Sequence, residues 1–316
     1  MMNNVQRNIL VTGGAGFVGS AIAQKLADDA ANYVVVVDNL HTGTTQKLPV
    51  SRFGNVKFIK ADVNDFKDIS SIFNAYRFEY VFHYAALVGV KRTLENPVMV
   101  LNDITGIKNV LNLSKNTGVK RVFFSSSSEV YGEPFEIPQN EKTTPLNSRL
   151  PYAIVKNVGE AFFKSYQQEY GLDYTIFRFF NTYGPNQSED FVVARFVKAA
   201  LRNEPIYVYG DGNQTRSFCY VDDNVDTCVK IMNEDLCVND VINIGSHKEQ
   251  TILSLAQEII MYTNSKSEIV FLPALPEGDM ARRCPDNNKM LAVLNRDLIS
   301  LEEGVNKLVE FYKINN

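Results

Sequence analysis

The sequence predicts an α/β fold in which a doubly wound parallel sheet is joined by a smaller α/β domain. Three observations lead to this prediction. Short apolar runs alternate with amphipathic stretches through the first half of the 316 residues, a glycine cluster follows the first run, and an acidic residue ends the second run. Continuous apolar strands separated by helices are typical of a parallel sheet that helices cover on both faces.

The individual elements follow from residue type and spacing. Strands are expected where β-branched and aromatic residues form short runs, at residues 8–12, 33–37, 56–59, 80–83, 122–124, 174–180, 217–221 and 241–244. Helices are expected where apolar residues recur every three or four positions, at residues 20–29, 70–76, 97–117, 152–170, 191–202, from 224 onward, 252–262 and 301–312. The first half alternates regularly, whereas the second half is less regular.

The composition argues against several functional classes. The net charge is −4 and no basic run is present, so a nucleic-acid partner is not predicted. No apolar run approaches the ~18 residues of a membrane span, and the polar residues 1–7 lack the pattern of a signal peptide. The four cysteines form no CxxC pair, which favours reduced thiols in a cytoplasmic protein. The three histidines are scattered, and no metal site is predicted.

A glycine-rich turn follows the first predicted strand. Gly13, Gly16 and Gly19 lie in the sequence TGGAGFVG, directly before the first predicted helix. Glycines there permit a tight turn and a close approach to a pyrophosphate, and the helix N-terminus offers free N–H groups. Asp38 ends the second strand, where a carboxylate binds the ribose hydroxyls of NAD and repels the 2′-phosphate of NADP. The sequence therefore predicts an NAD site.

A tyrosine and a lysine indicate proton transfer. Tyr152 and Lys156 lie four residues apart, on one face of a predicted helix. A nearby cation lowers the pKa of a phenol, and the phenolate can then accept a proton from a sugar hydroxyl. Four serines, 125–128, end the strand before this helix, at the edge of the sheet where ligands bind. A serine hydroxyl there can hydrogen-bond the reacting oxygen, so we expect oxidation of an alcohol.

These motifs resemble those of the extended short-chain dehydrogenases, in the family of NAD-dependent epimerases and dehydratases that act on nucleotide sugars. The resemblance covers nearly the whole chain and includes residues 12–19, 38–39, 83–86, 125–132, 152–156, 178–185, 207–218, 220–223, 243–245, 276–279 and 285–286. It implies a Rossmann fold, NAD as the cofactor and a UDP- or GDP-linked sugar as the substrate. It also implies a homodimer formed through residues 97–117 and 152–170.

The resemblance implies a set of binding residues for each ligand. The NAD contacts are expected from Gly13, Gly16, Phe17, Val18, Gly19, Asp38, Asn39, Asp62, Val63, Tyr84, Ala85, Ala86, Asn102, Ser125, Tyr152, Lys156 and Phe179. The substrate contacts are expected from Ser127, Ser128, Tyr152, Asn181, Tyr207, Arg216 and Arg283. Asp62 has a second interpretation, as the N-cap of the following helix. Arg282 is the alternative to Arg283 as a diphosphate ligand.

The domain organisation follows from the same pattern. Residues 1–180, with a return of the chain near 217–247, are expected to form the NAD-binding domain. Residues 181–216 and 248–316 are expected to form the smaller domain that binds the nucleotide sugar. The chain contains no Gly/Ser-rich linker, internal repeat or low-complexity tract. The two domains are therefore expected to pack directly against each other.

The resemblance implies oxidation of the sugar at carbon 4, and the resulting ketone permits several outcomes. Tyr152 is the expected base, Lys156 its partner, Ser127 a hydrogen-bonding hydroxyl and Glu129 a further catalytic group. Simple 4-epimerases often carry a small uncharged residue at position 129, whereas residues 214–223 and 282–286 resemble UDP-glucuronate decarboxylases. The leading expectation is a 4-epimerase-type reaction. UDP-glucuronate decarboxylation, 4,6-dehydration, net 4-dehydrogenation and a non-catalytic NAD-binding role are the alternatives.

Overall fold

The computed structural model describes residues 6–274 and 282–315. The first half contains β1 (Arg7–Thr12), α1 (Phe17–Ala27), β2 (Asn32–Asp38), β3 (Val56–Lys60), α2 (Phe66–Tyr76), β4 (Tyr80–His83), α3 (Val90–Glu95), α4 (Pro97–Thr117), β5 (Arg121–Ser127) and α5 (Pro151–Tyr170). The second half contains β6 (Asp173–Phe179), β7 (Thr182–Tyr183), α6 (Val192–Arg202), β8 (Ile206–Tyr209), β9 (Thr215–Ser217), β10 (Cys219–Tyr220), α7 (Val221–Asn233), β11 (Asp240–Ile244), β12 (Glu249–Thr251), α8 (Ile252–Thr263), β13 (Ile269–Leu272), α9 (Asn288–Leu294) and α10 (Leu301–Asn315).

A seven-stranded sheet forms the centre of the fold, in the spatial order β11-β6-β5-β4-β1-β2-β3. Every neighbouring pair in this sheet is parallel. The strand order reverses beside β1, so the connections from β1 and β4 leave in opposite directions. Ligands of open α/β sheets bind in the crevice at such a point. The predicted doubly wound parallel sheet is therefore confirmed.

Helices cover both faces of this sheet, which explains why its strands are apolar throughout. Successive side chains of a strand point to opposite faces. Ile9 and Val11 of β1 belong to the core under α1 and α7, whereas Leu10 belongs to the core under α2, α4 and α5. The strands of this sheet therefore read as continuous apolar runs rather than as an alternating pattern.

Proline and glycine mark the two ends of α4 and of α5. Pro97 and Pro151 lie at the starts of α4 and α5, where the missing proline N–H would have no partner in the helix. Gly118 and Gly171 follow the last turns with φ of +77° and +69°. This left-handed backbone suits glycine because it has no Cβ. Residues 97–117 match the predicted helix, and α5 begins one residue earlier than predicted.

The expected strand at 217–221 and the helix from 224 onward are wrong in their boundaries. The strand is divided into β9, which pairs antiparallel with β12, and β10, which pairs parallel with β7. The helix α7 already begins at Val221, with Asp222 and Asp223 in its first turn. Carboxylates are favourable near the positive end of the helix dipole. Asp223 also accepts hydrogen bonds from Arg296 and from the Ile299 N–H, so it joins α7 to the C-terminal segment.

The second half adds short sheets beside the large one. β8 pairs with β13, and β9 pairs with β12, while α6, α8 and α10 pack against one another. Six elements were not predicted from the sequence because they are short and lack a clear period: β7, β8, β12, β13, α3 and α9. None of the helices within residues 6–274 and 282–315 is both long enough and apolar enough to cross a membrane.

A buried ion pair lies beneath the carboxyl end of the central strands. Glu160 of α5 accepts hydrogen bonds from Arg178 Nε (2.9 Å) and Nη2 (2.7 Å) and from the Ser126 hydroxyl (2.7 Å). Arg178 also donates to the Tyr131 hydroxyl at 2.8 Å, and this hydroxyl donates to Asn243 at 2.8 Å. Arg178 and Glu160 are 2% and 1% exposed. The network therefore joins β5, β6, α5 and β11 away from water.

We expect Arg178→Met to destabilise the protein by about 3–5 kcal/mol, because it leaves the Glu160 carboxylate buried without its partner. Lys120→Met is the matched control, since Lys120 pairs with Glu79 at 2.8 Å on the surface. An exposed pair contributes about 0–1 kcal/mol. Urea unfolding followed by circular dichroism measures both losses. Similar losses for the two variants would contradict the assigned role of the buried pair.

Candidate active site

A cavity of about 820 Å³ opens at the carboxyl edge of the large sheet. It is lined by the turn between β1 and α1, by the ends of β2, β4, β5 and β6, and by the starts of α4 and α5. Because the strands are parallel, their carboxyl ends meet at this one edge. Side chains from distant parts of the sequence therefore converge on the same space.

The glycine turn forms one end of the cavity. Gly13 has a φ of +69°, and a Cβ at this position would lie 2.6 Å from the backbone nitrogen of Ala85. Gly16 caps α1 without a side-chain hydrogen bond, so the first N–H groups of the helix are directed at the cavity. A helix N-terminus of this kind binds phosphate groups. This close backbone cradle fits the pyrophosphate of NAD.

Asp38 is held rigidly at the end of β2. Its carboxylate accepts hydrogen bonds from the Ala15 N–H at 3.0 Å and from the Leu40 N–H at 2.8 Å. Lys47 lines the same part of the cavity, where burial lowers the pKa of its ammonium group and the negative charge of Asp38 opposes that effect. A carboxylate with fixed orientation at this strand end is suited to accept hydrogen bonds from a ribose diol.

Asp62 is not the N-cap of the helix that follows it. The cap of α2 is Asp65, whose side chain accepts from the Lys67 N–H at 2.8 Å. Asp62 instead accepts from the Asn64 N–H at 2.8 Å and from the Asn39 side chain at 3.0 Å. It lines the cavity beside Asp38, which leaves the adenosine end of NAD as its expected contact.

Nearly all expected NAD ligands share this cavity. The lining contains Gly13, Gly16, Phe17, Val18, Gly19, Asp38, Asn39, Asp62, Val63, Tyr84, Ala85, Ala86, Asn102, Ser125, Tyr152 and Phe179. Lys156 is not part of the lining and lies just behind it. The residues present therefore fit NAD along the whole cavity, from the glycine turn to the start of α5.

Tyr152 and Lys156 lie together at the start of α5. The Lys156 Nζ donates to the Ser125 carbonyl oxygen at 2.6 Å and lies 5.7 Å from the centre of the Tyr152 ring. Burial lowers the pKa of Lys156 to about 8. Burial also raises the pKa of Tyr152, and the nearby Ser127 hydroxyl partly opposes this by favouring the phenolate. Lys156 can therefore exchange its proton near pH 8, directly beside the Tyr152 ring.

A second charged pair, formed by Arg283 and Glu129, lines the cavity. Arg283 Nη2 lies 2.7 Å from the Glu129 Oε1, and the two side chains are 8% and 19% exposed. Among the described residues, no partner is found for the buried Glu129 Oε2. The charge of Glu129 raises the pKa of Tyr152, and that of Arg283 lowers it. Glu129 and Arg283 therefore lie within electrostatic reach of Tyr152 and line the same cavity.

Some of the remaining expected substrate residues line the cavity, and others lie outside the lining. Ser127, Ser128, Asn181 and Arg283 line the cavity. Tyr207 lies on β8 with 46% of its surface exposed and is outside the lining. Arg216 is buried on β9, donates to the Thr215 carbonyl oxygen at 2.7 Å and is also outside the lining.

Arg282, the alternative diphosphate ligand, lies away from the cavity lining. Arg282 forms two short hydrogen bonds, 2.9 and 2.6 Å, to the Glu249 carboxylate and is exposed. It is therefore turned away from Arg283, its neighbour in the sequence. Residues 276–279, which belong to the family resemblance, lie outside the described residues.

His83 has a structural role, as expected for the scattered histidines. Its Nδ1 lies 2.8 Å from the Thr12 hydroxyl, and the ring is 1% exposed. Burial lowers the pKa of His83 to about 3, so the ring is neutral at physiological pH. The same Thr12 hydroxyl accepts hydrogen bonds from the Tyr84 and Ala85 N–H groups. His83 and Thr12 therefore fix the loop that approaches Gly13.

The sequence analysis missed Asp103, a carboxylate of α4 that also lines the cavity. It accepts a hydrogen bond from the Leu87 N–H at 2.8 Å. A signal was available, because Asp103 lies three residues after Val100 and four before Ile107, which are both buried. Residues at this spacing share one helix face. A charge on the buried face of an otherwise apolar stripe could have identified it.

Comparison with known proteins assigns residues 9–245 to the family described as "NAD dependent epimerase/dehydratase family". A UDP-N-acetyl-alpha-D-glucosaminuronate decarboxylase of Bacillus cytotoxicus is 34% identical over 324 residues, with 98% of each chain covered. UDP-glucuronic acid decarboxylase 1 of Danio rerio is 36% identical, with 97% of this chain and 73% of that protein covered. The structure of a UDP-glucose 4-epimerase of Thermotoga maritima with UDP-glucose has a TM-score of 0.91 at 35% identity, covering 98% and 99% of the two chains.

We expect Gly13→Ala to weaken NAD binding by about tenfold or more, because the added Cβ would push the turn away from Ala85. Gly54→Ala is the matched control. Gly54 has nearly the same φ, +66°, but a Cβ there meets nothing within 4 Å. Both variants carry the strain of a left-handed alanine, and only the first carries the clash. Isothermal titration calorimetry with NAD separates them, and equal affinities would contradict the assigned role of Gly13.

Proposed function

The chain belongs to the NAD-dependent epimerase/dehydratase family, and on that premise we propose that it oxidises carbon 4 of a nucleotide-diphosphate sugar. It is an NAD-dependent enzyme of the extended short-chain dehydrogenase type. The observation that carries the proposal is the placement of Ser127, Tyr152 and Lys156 at one end of the cavity that fits NAD. A non-catalytic role would not require this set of groups.

The proposed chemistry divides between the cofactor and the side chains. When bound, NAD takes up a hydrogen and an electron pair from carbon 4 and later returns them. Tyr152 accepts the proton of the carbon-4 hydroxyl, and the Lys156 ammonium stabilises the phenolate that this requires. Ser127 hydrogen-bonds the same substrate oxygen. Lys156 is buried and donates to the Ser125 carbonyl oxygen. Because charges interact more strongly away from water, the ammonium charge then stabilises the Tyr152 phenolate more than it would on the surface.

We further propose that the diphosphate is bound by Asn181, Arg216 and Arg283. Arginine suits this task, since its planar fork can donate two parallel hydrogen bonds to phosphate oxygens. Asn181 supports the proposal because it lines the cavity and donates to the Ser217 carbonyl oxygen at 3.0 Å, next to Arg216 in the sequence. The assignment of residues 181–216 and 248–316 to a substrate domain is part of this proposal.

The leading candidate for the overall reaction is 4-epimerisation. Once the ketone at carbon 4 has formed, inversion requires only that hydrogen return to the opposite face. Ser127, Tyr152 and Lys156 supply all the proton transfers of this reaction. The T. maritima enzyme with the similar structure is a UDP-glucose 4-epimerase, which supports this candidate.

The second candidate is decarboxylation of a uronic sugar, and the Glu129–Arg283 pair favours it. A ketone at carbon 4 places the carboxylate of a uronic sugar in the β position, where carbon dioxide is readily lost. Loss of carbon dioxide leaves an enolate, so the reaction needs a group that binds the carboxylate and a group that passes a proton from water to carbon 5. Arg283 and Glu129 lie 2.7 Å apart and suit these roles. In this candidate Arg283 binds the sugar carboxylate in place of the diphosphate. Two of the related proteins are decarboxylases of nucleotide-linked uronic acids.

A panel of UDP-, GDP- and dTDP-linked sugars, with mass spectrometry of the products, tests the proposal. Unchanged mass with a new chromatographic position indicates epimerisation, loss of carbon dioxide indicates decarboxylation, and loss of water indicates dehydration. Loss of two hydrogens with NADH accumulation indicates a net dehydrogenase. If no sugar is changed although NAD is bound, the proposed function is wrong.

We expect Tyr152→Phe to lower kcat by about 10²- to 10⁴-fold, because the proton acceptor is removed. NAD binding should persist, since the glycine turn and Asp38 are untouched. Tyr170→Phe, at the exposed end of the same helix, is the matched control and should keep full activity. Turnover of the active sugar measures kcat for both variants. Full activity of Tyr152→Phe would exclude the assigned base.

We propose a homodimer formed through α4 and α5. Val98, Met99 and Leu101 of α4 and Ile154 of α5 are large apolar side chains that are at least 37% exposed. The two helices pack against each other, so these side chains lie on neighbouring helices, and Met99 also borders the cavity. Burial of these side chains against a second copy would remove them from water.

We expect Leu101→Glu to convert this dimer to a monomer, because it places a charge in the apolar contact. Met261→Glu is the control, since Met261 is equally a large exposed side chain but lies on α8. Light scattering after size exclusion gives the mass of each variant. A monomeric unaltered protein, or loss of the dimer in the control alone, would contradict this interface.

A further inference from the structure

Asp103 is a carboxylate for which the proposed chemistry gives no task. It lies in the first turns of α4, lines the cavity and is half-buried. Its Oδ2 accepts from the Leu87 N–H at 2.8 Å, which ties the side chain to the loop after β4. This hydrogen bond fixes the carboxylate on the inner side of the helix. Burial raises the pKa of Asp103, and the charge of Asp62 adds to this effect. The Leu87 N–H, the charge of Lys156 and a hydrogen bond from Asn64 act in the opposite direction and favour the carboxylate.

Lys156 is surrounded by groups that offer it little compensation for burial. It is 2% exposed, donates to the Ser125 carbonyl oxygen and lies 5.0 Å from the centre of the Phe124 ring. From β4, it is faced by the neutral His83. From α4, it is faced by Asp103, whose negative charge raises the pKa of Lys156 against the larger effect of burial.

Tyr152 is subject to the same carboxylate. Burial raises the pKa of its phenol most strongly, and the negative charges of Glu129 and Asp103 raise it further. The Ser127 hydroxyl and the positive charge of Arg283 act in the opposite direction. Asp103 thus acts on both members of the proton-transfer pair and in the same sense. It favours the form of each group that carries the proton.

We propose that Asp103 is a positioning residue whose negative charge holds Lys156 in its ammonium form, the form that stabilises the Tyr152 phenolate. Asp103 does not touch the reacting atoms in this role. It acts through Lys156, and its own orientation is set by Leu87. The inference rests on the proposed function only in assigning proton transfer to Tyr152 and Lys156.

The proposal has a definite consequence for pH dependence. The pair loses its first proton in one step that belongs to both groups, because their titrations are coupled. The remaining proton can move between the phenol and the amine, and the species with phenolate and ammonium is the active one. Removal of a nearby negative charge makes the first loss easier, whichever group gives up the proton. The acid limb of the pH profile must therefore move to lower pH.

We expect Asp103→Asn to shift the acid limb of kcat/KM to lower pH by about one pH unit. The asparagine oxygen can still accept from the Leu87 N–H, so the loop contact is retained. Asp103→Glu should restore most of the original profile, because it restores the charge. Asp62→Asn removes another carboxylate of the same cavity, one that is not among the groups acting on Lys156 or Tyr152. Its removal favours the ionised form of Asp103, so it should weaken NAD binding without moving the limb to lower pH.

A second measurement does not depend on turnover. Lysine labelled with ¹³C at the ε carbon reports protonation by NMR, and Lys156→Arg identifies the Lys156 signal. In the unaltered protein this signal should titrate near pH 8, which follows from the lowered pKa of Lys156. In Asp103→Asn it should titrate at lower pH. If that variant does not fold, Asp103→Thr, which keeps an oxygen acceptor but no charge, replaces it.

The outcomes separate the two proposals. A drop in kcat with both the acid limb and the Lys156 titration unmoved would show that Asp103 is merely structural, and the inference would be wrong. A moved Lys156 titration in a protein that turns over no sugar would retain the inference and reject the proposed function. Both shifts together support the role of Asp103. A shift in the limb alone would assign the effect to another group and overturn the inference.

Discussion

The hydrogen bond from Lys156 to the Ser125 carbonyl oxygen joins the two elements on which the site depends. Ser125 belongs to the end of β5 and Lys156 to α5, and their 2.6 Å contact sets the helix against the strand. Tyr152 lies one turn before Lys156, and Ser127 two residues after Ser125. The single contact therefore fixes the phenol relative to the serine hydroxyl. An ammonium group bound mainly to one carbonyl is also poorly compensated for burial, so it is sensitive to every charge nearby.

The Arg178–Glu160 network provides a rigid base for this arrangement. Glu160 lies one turn after Lys156 on α5 and also binds the hydroxyl of Ser126, between the two site residues of β5. Both oxygens of the Glu160 carboxylate accept hydrogen bonds from Arg178, and Glu160 is not among the groups that shift the pKa of Lys156. The fold thus separates two kinds of buried charge. The Arg178–Glu160 pair is compensated by its own hydrogen bonds and has a structural role. Lys156 has fewer hydrogen-bond partners and lies next to the cavity, where a change in its protonation can serve a reaction.

The sequence was sufficient wherever a local signal determined the structure. Helix α4 matches its predicted range because Pro97 and Gly118 mark both ends, and the glycine turn was identified because Gly13 requires a backbone that other residues rarely adopt. The start of α7 was placed too late because the residues through Val221 were assigned to a strand, whereas Asp222 and Asp223 lie in the first turn of the helix. Long-range contacts gave no signal at all. Neither the pairing of Arg283 with Glu129 nor the position of Tyr207 outside the cavity follows from spacing along the chain.

The charges around Tyr152 bear on which reaction the enzyme completes. Glu129 and Asp103 both raise the pKa of the phenol, which by itself opposes formation of the base. Asp103 compensates for this through Lys156, but Glu129 does not lie among the groups that raise the pKa of Lys156. In a simple 4-epimerisation, Glu129 would raise the pKa of Tyr152 without raising that of Lys156. A neutral residue at position 129 would suit that reaction better. The position of Glu129 against Arg283 becomes advantageous if the pair acts on carbon 5 or carbon 6. A task for the Glu129–Arg283 pair therefore belongs to the proposed decarboxylation, whereas the leading proposal, 4-epimerisation, assigns the pair none.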